Sequence, residues 1–93
     1  MIYKMTEWQS PTGMWHCADV SNLSGNSGSW WIPSRVLGIS PADFVLLLIN
    51  EFNAKVSYSK EHEFLHYYWE KQSDMRKFKN YVNAAARRSN FLI

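Results

Sequence analysis

Residues 40–49 read SPADFVLLLI. Ser40 is a helix-capping side chain, Pro41 takes the first helical position, and Asp43 places a carboxylate in the first turn. Ile39 and Phe44 have the spacing of a hydrophobic staple across that cap. From Phe44 to Ile49 the run is apolar on every side, so the sequence predicts a helix covered on most faces and more buried than any other element.

Working towards the N-terminus, residues 2–9 and 14–20 read as two strands joined by Ser10-Pro11-Thr12-Gly13. Pro11 presets the second position of a turn and Gly13 suits its fourth. Residues 21–29 are Ser, Asn and Gly interrupted only by Leu23, a composition that cannot pack a core and predicts a flexible loop. Gly25 and Gly28 in that loop lack the lysine and the spacing of a nucleotide-binding fingerprint. Trp30, Trp31 and Ile32 then form a short apolar run before Pro33, read as a third strand at a sheet edge, where proline's missing donor does no harm. Adjacent residues of a strand point to opposite faces, so one of Trp30 and Trp31 is left over as a partner-binding candidate.

Working towards the C-terminus, Lys55–Ser59 reads as a short strand. From Lys60 to about Asn90 the pattern is read as helix, broken or kinked near Ser73. In its last part Met75, Phe78, Val82, Ala85 and Ser89 fall on one stripe, with Arg76, Asn80, Asn83, Arg87 and Asn90 opposite. The fold class that follows is α+β. A small N-terminal antiparallel sheet of two or three strands packs against two or three C-terminal helices, in a single domain spanning residues 1–93.

The totals agree with a small folded domain. A chain of 93 residues buries only about 60–65% of its unfolded surface. Apolar residues make up 46% and aromatic residues 16%, with five Trp, so a few large rings can supply most of the core. The single cysteine, Cys17, excludes an internal disulfide. Nothing at the start reads as an export signal, so Asn22-Leu23-Ser24 is discounted as a glycosylation acceptor and the expected location is cytoplasmic. The longest apolar run, Phe44–Ile49, falls far short of the ~20 residues of a membrane span. The net charge of +2 hides a gradient. Up to residue 70 four cations face seven carboxylates, and from Lys71 onward six cations face only Asp74. Such a gradient suits an acidic partner or nucleic acid, or a solvated helix with Arg at its C-terminal end.

The sharpest motif is His62-Glu63-Phe64-Leu65-His66, a literal H-E-x-x-H. On a helix both imidazoles would lie on one face and share a Zn²⁺, with Glu63 as general base. Over these five residues the chain resembles the zincin metallopeptidases, which implies a zinc cofactor and a third protein ligand downstream. Glu70 lies ~12 Å along the same rod from His62, too far to share an ion. Asp74 reaches only through a sharp fold-back, and His16, Cys17 and Asp19 stand upstream, against the group's order. His16 and Cys17 are neighbours in a strand and point apart, so the thiol reads as a small buried side chain without an activating base.

Three functions follow as expectations. The first is a non-enzymatic binding protein acting by protein–protein contact, with Trp30 and Trp31 at the contact and no catalytic residue, metal or cofactor. Its texture is that of a phage or mobile-element accessory protein. The second is a minimal zinc peptidase with His62 and His66 as metal ligands and Glu63 catalytic. The third is a nucleic-acid-binding domain using Arg76, Asn80, Asn83 and Arg87, residue types that grip phosphates and read base edges.

Overall fold

The computed structural model describes residues 3–19, 32–59 and 64–89. Strands β1 (Met5–Gln9) and β2 (Trp15–Asp19) pair antiparallel, with Trp8 opposite His16 and Gln9 opposite Trp15. The turn between them is the one the sequence implies. The Ser10 carbonyl accepts the Gly13 N–H at 2.9 Å, and the Ser10 N–H donates to the Met14 carbonyl at 2.8 Å. Gly13 has φ +87°, a left-handed conformation that costs a residue without Cβ little.

Helix α1 (Ile32–Leu37) begins at Ile32, the one described residue of the edge strand expected at 30–32. Pro33 lies in its first turn, where a fixed φ and a missing N–H suit a helix as well as they suit a strand edge. Trp30 and Trp31, and the loop at 21–29, lie outside the described residues. Gly38, at φ +71°, ends α1: its N–H donates to the Arg35 carbonyl at 3.1 Å, and the Ile39 N–H reaches the Ser34 carbonyl at 3.0 Å.

Helix α2 (Pro41–Phe52) starts as its sequence announces, with Ser40 Oγ accepting the Asp43 N–H at 3.1 Å. Phe44 is buried and Ile39 packs partly against the core. Asn53, left-handed at φ 56°, closes the helix. Its burial corrects the sequence reading, however. Only Phe44 and Leu48 are fully buried, whereas Leu46 is 55% and Ile49 46% exposed. An apolar run cannot show which of its faces finds a partner.

The segment after α2 forms a second antiparallel hairpin, β3 (Lys55–Ser59) with β4 (Phe64–Tyr68), in which Lys55 pairs with Tyr68 and Val56 with Tyr67. Strand β3 matches expectation. Strand β4 overturns the helix read through 64–68. A short aromatic run fits either period, and here the aromatic residues of β4 find cross-strand partners in β3, Tyr67 opposite β-branched Val56 among them. The alternation is clear: Tyr67 and Trp69 are buried, and His66 is exposed.

Helix α3 (Gln72–Ser89) is the true centre, packing against α1, α2, β1 and β2. It buries Met75, Phe78, Val82, Ala85 and Ala86. Phe78 is the hub of the core, with ring centroids 5.3 Å from Trp69, 5.4 Å from Phe52 and 5.9 Å from both Phe44 and Tyr67. The chain is thus α+β, with two two-stranded antiparallel sheets and, among the described residues, three helices. No helix among the described residues is long and apolar enough to cross a membrane.

Candidate contact surface

The two hairpins meet at one bridge. The Trp15 N–H donates to the Trp69 carbonyl at 2.7 Å, and the Trp69 N–H returns to the Trp15 carbonyl at 2.9 Å. This bridge brings β2 alongside the end of β4. Because side chains alternate along each strand, it also sorts them into two sets. Met5, Cys17, Tyr67 and Trp69 join the core with the helices. Trp8, His16 and Tyr68 are left on the other side.

Those three rings form a row across β1, β2 and β4. Trp8 and His16 stack with centroids 5.1 Å apart and planes at 10°, and His16 lies 5.9 Å from Tyr68 at 34°. Trp8 is 39% exposed, and His16 and Tyr68 are half-buried. Beside the row lies a shallow open hollow of about 360 Å³ lined by Ser10, Thr12, Met14, His16 and Tyr68. Partial burial holds His16 below the ordinary histidine range, and the nearby His66 lowers it further.

Polar atoms separate the two sides. The Trp69 indole N–H donates to the Phe52 carbonyl at 2.9 Å, whereas the Trp8 indole N–H has no acceptor among the described residues. Hydroxyls at the hairpin turn add to the polar supply: Ser10 Oγ and Thr12 Oγ1 are 2.8 Å apart.

The helix side ties down several residues that the sequence offered as a nucleic-acid face. Asn83 is buried and clamps the edge of β1. Its Oδ1 accepts the Met5 N–H at 2.8 Å and its Nδ2 donates to the Met5 carbonyl at 3.4 Å, as a neighbouring strand would. Arg76 donates to Glu7 through Nε at 3.3 Å and Nη2 at 3.1 Å, and Lys79 Nζ lies 2.8 Å from the same carboxylate. The Arg76 and Lys79 hydrogen bonds hold Glu7 down to about 2. Only Asn80 and Arg87 of the four candidates remain exposed without such ties. The helical wheel placed Asn83 on an outer stripe because it could not show that β1 covers that flank.

The helical reading of the H-E-x-x-H motif is corrected as well. His62 and Glu63 lie outside the described residues, but Phe64, Leu65 and His66 belong to strand β4. The helical turn that would set residues four apart on one face is not formed there. Among the described residues no group of three or more His, Cys, Asp or Glu is placed to hold a metal ion. Cys17 is buried, and desolvation pushes its thiol up to about 12, so it is inert at neutral pH.

Trp8, Met14 and Tyr68 were not singled out in the sequence. The Trp8–His16 pair was within reach only through a three-residue loop with left-handed Gly13 as its bulge, since a plain four-residue turn at Ser10–Gly13 sets Trp8 opposite Trp15. Tyr68 was not, because its place depends on the Trp15–Trp69 bridge. No protein-family model, no curated protein and no solved structure matches this chain.

Proposed function

We propose that this is a small non-enzymatic binding protein acting by protein–protein contact, and that the Trp8–His16–Tyr68 row is its contact surface. One observation carries the proposal: three rings stand in contact on the sheet side away from the helices, while the core has its own separate aromatic cluster. Large, stiff, amphipathic rings of this kind are enriched at the centres of protein interfaces. The strand at 64–68 argues against the peptidase reading, and the engagement of Arg76 and Asn83 argues against the α3 stripe as a nucleic-acid face.

The test is capture from cells of the source organism with the wild-type chain and with a Trp8→Ala/Tyr68→Ala double variant. A protein retained stoichiometrically by the wild type and lost from a folded double variant supports the proposal. Retention that ignores the double substitution, or no retained protein at all, overturns it.

A further inference from the structure

The chemistry of the row specifies a kind of partner segment, and this inference rests on the contact-surface reading above. We infer that the surface takes an extended, uncharged, proline-bearing segment with prolines three residues apart, one against Trp8 and His16 and the other in the hollow beside Tyr68.

The first ground is length. The row crosses three neighbouring strands, two inter-strand spacings or about 10 Å. A polyproline II segment repeats every three residues at ~3.1 Å each, so residues i and i+3 present the same side at about 9 Å. The ring row therefore spans one turn of such a ligand. Its backbone is already extended without internal hydrogen bonds, so binding costs little ordering entropy.

The second ground is charge. Neither the three rings nor the lining of the hollow includes a Lys or Arg. Lys55, on the neighbouring strand, is paired with Glu70 at 3.0 Å. Arg76 and Lys79 are bound to Glu7 beside α3. Among the described residues a phosphate backbone would find no cation at the rings to neutralise it, although phosphate contacts dominate nucleic-acid affinity. A neutral surface suits a neutral segment, and the partial burial of His16 favours its uncharged form.

The third ground is hydrogen bonding. The row offers donors, namely the Trp8 indole N–H, the Tyr68 hydroxyl and one hydroxyl of the Ser10–Thr12 pair, the other being used within the pair. A proline-bearing segment is rich in carbonyl acceptors and poor in N–H groups, since proline has none. Proline rings pack on aromatic faces without competing for those donors.

The experiment titrates the purified full chain with neutral synthetic peptides. One bears prolines three apart, one bears them two apart, and one has alanine in their place. A single-stranded oligonucleotide is the fourth ligand. Binding is followed by indole N–H and imidazole NMR signals. The expected result is that the three-apart peptide shifts the Trp8 and His16 signals, and that each other peptide binds at least about tenfold more weakly. Trp8→Ala and Tyr68→Ala should each weaken binding by a similar factor, and Leu46→Ala, on the far side of α2, should leave it unchanged. Equal binding of the alanine peptide, or no ring-dependent binding of any proline peptide, overturns this inference. The contact-surface proposal is then judged by the capture experiment alone. Ring-dependent, salt-sensitive binding of the oligonucleotide overturns both.

Discussion

Trp69 and Trp8 are held in the same bridged set of hairpins and meet opposite surroundings. Trp69 is fully buried, rests on Phe78 and Tyr67, and has its indole N–H satisfied by Phe52. Among the described residues Trp8 stacks on His16 and its N–H has no acceptor. Both clusters hold a Trp and a Tyr beside other rings, so composition alone cannot tell core from contact surface. What separates them is the side of the strand and whether a helix covers it. The covered cluster supplies stability, and the other stays partly exposed.

The comparison breaks most directly through stability. Phe78→Ala should cost about 3–5 kcal/mol in chemical denaturation, because it removes the ring that four others touch. Trp8→Ala should cost under about 1 kcal/mol. Equal losses would mean that the Trp8 row is a second core and not a free surface. The three leucines of α2 sharpen the same contrast within one turn of helix. Leu48→Ala should cost about 2–5 kcal/mol, half-buried Leu47→Ala about 1, and exposed Leu46→Ala less than about 0.5.

Polar groups on the covered side provide finer tests. Asn83→Ala would leave the Met5 N–H and carbonyl unpaired, at about 1–3 kcal/mol. Amide exchange at Met5 should accelerate at the same time, and unchanged exchange would show that the clamp is not what protects this edge. The smallest effect is expected at Glu7. Its folded value of about 2 lies below the ordinary 4.5, so the stability it contributes is present above pH 4.5 and is lost as pH falls towards 2. Glu7→Gln should flatten the denaturation midpoint across that window. The gain at neutral pH is modest because Arg76 is half-exposed and solvent screens the pair.

Residues with local signals were legible. The Ser10–Gly13 turn, the Ser40 cap and the Lys55–Ser59 strand follow from side chains within a few positions of one another, as does the apolar stripe Met75–Phe78–Val82–Ala85. The errors came where two local patterns tie. Phe64–Tyr68 fits a helix or a strand, and Pro33 suits a strand edge or a helical first turn. The first is decided by pairing with the neighbouring strand Lys55–Ser59, the second by packing of α1 against α3.

By itself, then, the sequence determined an α+β chain, its first turn, its capped helix α2, an apolar face on α3 and a thiol with no partner for a disulfide. Each depends on backbone preference or on periodicity within one segment, which neighbouring residues encode. Tertiary structure alone decided which rings are covered. The Trp15–Trp69 bridge sets Tyr68 beside His16, 52 residues apart in the chain. The packing of β1 on α3 buries Asn83 and draws Arg76 to Glu7. Coverage is a property of what packs above a face, and no stretch of sequence contains its own neighbour across the fold.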